Sequence, residues 1–153
     1  MRIALLAHHA RPTGGQDRYV LELARQLSLR HEVHLIVVRA EGLRGEPVTV
    51  HALPLRDRPV VWLTPRYARA AIRLARWHSF DIVHAIGGAA PGANVVTAQY
   101  CQAEWQVVQQ RYRGAEGARL GGWYGRLTMW QALRFERRSQ TCATGPAESG
   151  PGH

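Results

Sequence analysis

The chain has 153 residues, 46% apolar and 20% charged: long enough for one domain that buries about two-thirds of its unfolded surface, and too apolar for a disordered segment. Its net charge is +9, and all 20 basic residues are arginine against 11 carboxylates, a field that favours phosphate- or carboxylate-bearing partners. No block of like charges forms a nucleic-acid-binding arm, no apolar run approaches a membrane span or a signal-peptide core, and Cys101 and Cys142 lack metal-like spacing, so the expectation is a reduced, cytoplasmic, globular protein.

Residues 2–7 are a short continuous apolar run, the pattern of a strand buried on both faces of a parallel sheet. A Pro and the pair Gly14-Gly15 then predict a loop over residues 8–15. Residues 16–29 switch to helical period, with Val20, Leu23, Ala24 and Leu27 on one side and Glu22, Arg25 and Gln26 on the other. Residues 31–38 return to β-branched strand character. The resulting β-loop-α-β unit joins parallel strands by a right-handed crossover.

Residues 48–53 predict a third strand, and Thr64-Pro65 a helix start, with Pro tolerated in the first turn. Tyr67, Ala70, Ala71, Leu74 and Trp77 mark the expected buried face of that helix. Arg66, Arg69, Arg73 and Arg76 make a basic stripe beside it. A solvated face is the first reading of the stripe, and contact with phosphate or a membrane surface the alternative. Residues 80–85 and 94–98 predict a fourth and a fifth strand, residues 102–112 and 123–138 two helices, and residues 114–122 a Gly-rich connection between them. Residues 139–153 contain no Val, Ile, Leu, Met or aromatic residue and predict a disordered tail.

In a parallel α/β sheet ligands bind at the carboxyl edge, where the loop holding Gly14 and Gly15 lies. Glycine lets the backbone approach a ligand, and the N–H groups of a helix start can hold a phosphate. The pair fits neither G-x-G-x-x-G nor G-x-x-x-x-G-K-[ST], which disfavours a dinucleotide fold or a P-loop NTPase. His31 and His34 point to opposite faces of a strand, and adjacent His8 and His9 have the same problem, so no zinc site is expected. His84 is placed at the carboxyl end of the fourth strand, on the edge shared with Gly14 and Gly15. No paired carboxylates or hydrolytic triad can be assembled, and Cys101 reads as an inert thiol.

The opening Met-Arg-Ile-Ala-Leu-Leu-Ala, the glycine pair, residues 16–27 and residues 31–36 resemble the start of family 4 glycosyltransferases. Phe80-Asp-Ile-Val-His-Ala85, Asn94-Val-Val-Thr-Ala98 and Arg134-Phe-Glu-Arg-Arg138 resemble that family's fourth and fifth strands and the following helix. The resemblance covers residues 1–138. It implies the GT-B fold, in which two Rossmann-like domains face a cleft and a sugar passes from a nucleotide donor to an acceptor with retained anomeric configuration, without metal or other cofactor. This chain would supply the amino-terminal, acceptor-side domain, an α/β Rossmann-like parallel sheet flanked by helices. Gly14 and Gly15 would then match the loop that approaches the donor diphosphate, Arg18 would lie on the first turn beneath it, and His84 would line the cleft. Where members often carry His at the end of the fifth strand, this sequence has Gln99, which can hydrogen-bond but cannot exchange a proton near neutral pH. No catalytic residue is assigned.

The resemblance further implies a nucleotide-sugar and a sugar or lipid-linked acceptor as partners. The family's donor-binding half, with its acidic E-x7-E segment, has no counterpart in these residues, so the expectation is a domain that does not complete turnover alone. A separately encoded donor domain and a peripheral membrane contact are compatible with it, whereas specific nucleic-acid binding is not expected, because the arginines lack interleaved stacking aromatics. A non-catalytic binding module and the inactive product of a truncated reading frame are the alternatives.

Overall fold

The computed structural model describes residues 1–56, 60–87, 90, 92–99, 127, 130, 133 and 134. In chain order its elements are β1 (Arg2–Leu6), β2 (His9–Ala10), α1 (Gly15–Ser28), β3 (Glu32–Val37), β4 (Arg39–Ala40), β5 (Val48–Ala52), α2 (Val60–Trp77), β6 (Ile82–Ile86) and β7 (Val95–Thr97). Five strands form one parallel sheet in the order β5-β3-β1-β6-β7, and β2 pairs with β4 in a small parallel pair beside it.

The apolar run of β1 divides between two cores because successive side chains leave a strand on opposite faces. Ile3, Leu5 and Ala7 join Val20, Ala24, Val33, Leu35, Val37 and Ile86 in the core beneath α1. Ala4 and Leu6 join Ile36, Leu63, Tyr67, Ala71, Ala75 and Ala85 in the core beneath α2. A strand covered on both sides has no polar face to show, which is why it reads as unbroken hydrophobicity. The fold is therefore α/β and Rossmann-like, a parallel sheet flanked by helices, as expected. Among the described residues no helix is long and apolar enough to cross a membrane.

Four details differ from the sequence reading. The helix expected to start at Thr64-Pro65 begins at Val60, which leaves Pro65 inside it. Proline in a helix interior costs about 3 kcal/mol. Extending the helix backward buries Leu63 one turn ahead of Tyr67, Ala71 and Ala75, and burying a leucine contributes about 1.5–3 kcal/mol, so the two effects are of one size. Trp77, assigned to the buried face, is 84% exposed, because it sits at the last residue of α2 and to the side of the stripe that meets the sheet. The fourth strand runs from Ile82 rather than residue 80, which makes His84 its middle residue. Finally, β2 and β4 interrupt what read as plain loop. The expected basic stripe holds, with all four of its arginines exposed.

Of the helix expected over residues 123–138, Leu127, Trp130, Leu133 and Arg134 are described, and they are helical; the Arg134 guanidinium lies 5.0 Å from the Trp130 ring centre. The expectations for Cys101, Cys142, the helix over 102–112, the connection over 114–122 and the tail over 139–153 lie outside the described residues.

Candidate functional site

The strand order sets where a crevice forms. From β1 the chain steps outward to β3 and β5, then α2 carries it back across to β6 and β7 on the other side. The connections leaving β1 and β6 therefore diverge, and the space outside their carboxyl ends is where an open α/β sheet receives a ligand.

The loop after β1 turns into α1 at Gly14, whose backbone adopts φ 85 and ψ 150, a region that side-chain-bearing residues enter only with strain. The first intrahelical bond runs from the Arg18 N–H to the Gly14 carbonyl, so the N–H groups of Gly15, Gln16 and Asp17 lie ahead of it. No side chain caps this end. A Cβ placed on Gly14 or on Gly15 would meet no described atom within 4 Å. Asp17, the acidic residue of the first turn, accepts a 2.7 Å ion pair from Arg11 Nε. Arg18 stands exposed on the same turn.

The connection after β6 comes to meet this turn. Gly87 has φ 66, a backbone conformation that favours glycine, and a Cβ there would lie 3.2 Å from Nε2 at the end of the Gln16 side chain, so this connection sits close to the first turn of α1. The Gly87 N–H donates to the Thr97 carbonyl at 2.8 Å, tying the end of β6 to the end of β7. His84 lies on the α1 face with Ile82 and Ile86 and its Nε2 is 2.7 Å from Thr97 Oγ1; burial lowers its pKa. Gln99 is half-buried just past the end of β7. Gly14, Gly15 and Arg18 thus share one turn at the carboxyl edge, Gln99 follows the strand end on the β7 side, and His84 sits within the sheet two residues short of the end of β6, engaged with Thr97.

The structure adds His8, which sequence reasoning treated only as half of a pair unable to chelate. It leaves the carboxyl end of β1 with its ring centre 4.6 Å from that of Tyr67, and its Nε2 is cut off from solvent with no hydrogen-bond partner among the described residues. Burial is the main cause of its pKa falling to about 4, with the nearby His9 charge adding to the effect and Asp17 opposing it. His8 is therefore neutral at physiological pH. Tyr67, fully buried, donates its hydroxyl to the Ile36 carbonyl at 2.7 Å, and burial pushes its phenol well above the usual range. No motif marks His8; its one signal in the sequence was its place at the end of the first apolar run.

A second titratable group lies on the α2 face. His34 Nε2 is 2.8 Å from Glu32 Oε1 and its Nδ1 is 2.9 Å from His51 Nε2. Because a carboxylate only accepts, His34 donates to Glu32 through Nε2, and when the His34 ring is neutral its Nδ1 accepts from His51 Nε2. Burial, then the charges of His34 and His78, lower the His51 pKa. Among the described residues no group of His, Cys, Asp or Glu is arranged to hold a metal ion.

The comparisons with known proteins agree with this architecture. The fold is similar to that of WaaG, a glycosyltransferase involved in lipopolysaccharide biosynthesis, with a TM-score of 0.61 at 18% identity over 97% of this chain and 36% of the WaaG chain. No curated protein sequence matches the chain. The sequence profile of Glycosyltransferase Family 4 matches residues 13–143, from the residue before the glycine pair to beyond the last described helical residues, and the chain therefore belongs to glycosyltransferase family 4.

Proposed function

We propose that these residues form the amino-terminal, acceptor-side domain of a retaining glycosyltransferase that moves a sugar from a nucleotide-sugar donor to a sugar or lipid-linked acceptor, with the donor held chiefly by a second domain. A cytoplasmic location is part of the same proposal. The observation that carries it is the uncapped start of α1 at the strand-order reversal, with open space above the backbone of Gly14 and Gly15. Sugar transfer leaves negative charge on the departing nucleoside diphosphate. The N–H groups of Gly15, Gln16 and Asp17, together with the positive end of the helix dipole, would stabilise that charge as it develops. The Asp17 carboxylate, which would oppose an anion, is already paired with Arg11, and Arg18 stands on the same turn to add a positive charge. Gln99 can donate a hydrogen bond to a sugar hydroxyl or to the diphosphate, but it cannot act as a general base near neutral pH.

Amide NMR of the whole chain, titrated with uridine, guanosine and adenosine diphosphates, tests the reading. Shifts concentrated at Gly14 to Arg18 with at least one of them are expected. Shifts confined to other residues, or none at millimolar ligand, would overturn it. Steady multiple-turnover transfer by this polypeptide alone would overturn the assignment of donor binding to a second domain.

A further inference from the structure

Helix α2 has two faces that differ in kind. Leu63, Tyr67, Ala68, Ala71 and Ala75 are buried against the sheet. On the opposite side stand Arg66, Arg69, Arg73 and Arg76, all exposed, and at the two ends of that row Trp62 is 60% and Trp77 84% exposed. At about 100° per residue these six side chains fall within an arc of about 100°, centred opposite the buried stripe, and the row is about 22 Å long. The helix contains no Asp or Glu, and none of the four arginines makes an ion pair with a described residue.

We propose that this face of α2 docks the domain on an anionic lipid surface, the helix lying along the membrane plane. Among the described residues the charge of this face is of one sign and unneutralised, which suits acidic headgroups at about fivefold in partitioning per arginine near the surface. The tryptophans decide the class of partner. An indole combines an apolar ring with one N–H and settles at the level of the headgroups. Two of them, one at each end of a straight basic row on a convex helix, can enter a flat interface together. A single-stranded polynucleotide would instead be served by a groove with aromatics spaced to stack successive bases. A second copy of the same face would meet its own charge.

The contact also has a direction. The chain enters α2 at the carboxyl edge of the sheet, where Tyr67 bonds the Ile36 carbonyl, and leaves it at the amino edge, where the His78 carbonyl accepts from Arg2 at the start of β1. Trp62 is therefore the tryptophan nearer the candidate site, and docking through this face sets that site beside the membrane surface. The inference stands without the sugar-transfer reading, since it rests on α2 alone.

Co-sedimentation of the full chain with phosphatidylcholine vesicles and with vesicles also containing phosphatidylglycerol tests it. Two variants are compared, R66Q/R69Q/R73Q/R76Q and W62A/W77A, with far-UV circular dichroism and melting curves to show that both remain folded. The expected result is partition onto the anionic vesicles only, weakened at least tenfold in the arginine variant and severalfold in the tryptophan variant. Equal binding to both vesicle types, no binding to either, or unchanged binding in the folded variants would overturn the proposal. So would arginine-dependent binding to an oligonucleotide that survives loss of both tryptophans without any vesicle partition.

Discussion

The burial of His8, whose Nε2 has no partner among the described residues, makes this protein's stability sensitive to mild acid. In the folded chain the His8 pKa is about 4, against 6.5 for a free histidine. Between those values the unfolded chain binds a proton that the folded chain refuses, so stability is full above the unfolded pKa and is lost as pH falls toward the folded one. One pKa unit corresponds to about 1.4 kcal/mol, so the complete effect approaches about 3 kcal/mol, and lowering the pH from about 7 to about 5 should remove about 2 kcal/mol. His51 and His84, whose pKa values are also lowered, act with the same sign, so a variant is needed to isolate His8. His8→Phe keeps a ring against Tyr67 and removes the titrating nitrogen. Urea unfolding of both proteins at the two pH values gives the comparison. The wild type should lose about 2 kcal/mol more than the variant on acidification, and the variant should be no less stable near neutral pH because it buries no unpaired polar atom. Equal acid losses in the two proteins would show that His8 is protonated or solvated in the folded state.

Gly14→Ala must force a side chain to φ 85 and should cost about 1–3 kcal/mol in denaturant unfolding. Gly15→Ala, inside the helix and meeting no described atom, should leave the fold stable or gain up to about 1 kcal/mol; a loss of nucleotide-induced amide shifts in this variant would report directly on the space above the glycine. Tyr67→Phe removes one of two hydrogen bonds to the buried Ile36 carbonyl, which still accepts from the Ala7 N–H at 3.3 Å, and should cost about 0.5–1.5 kcal/mol by urea titration, while Tyr67→Ala, which also opens a cavity, should cost about 3–5 kcal/mol. Trp77→Ala should change the midpoint by less than about 0.5 kcal/mol, as expected for a surface side chain; a larger loss would mean that the indole is packed.

The order of strands and helices in the described region was legible because each strand of the sheet carries its own short apolar run and α1 its own period. Val33, Leu35 and Val37 feed one core and Ile36 the other, a division that any two-sided strand makes inevitable. The start of α2 was misread because proline chemistry is local, whereas the burial of Leu63 that extends the helix depends on Tyr67 and on the sheet below. Trp77 was misassigned for a related reason: period alone places it beside the apolar stripe, but the helix ends there. The glycine loop was readable as a turn at the carboxyl edge. Its meeting with Gly87 was not, since that contact depends on β6 lying next to β1. The His34, His51 and His78 cluster and the isolation of His8 are likewise products of strand order, which brings together residues far apart in the chain.

Strand β1 pairs on one flank with β3, about thirty residues later, and on the other with β6, where Ile3 faces Ile82. Made before both of its neighbours, β1 is thus among the last strands to be completed, because its second neighbour is made only after β5 and α2. Until then Leu5 and Leu6 sit on a strand with one open edge, able to pair with any other extended segment that arrives first. Pairings of such long sequence separation make for slow folding. The central strand of the sheet is accordingly the point at which synthesis most exposes this chain to misassembly.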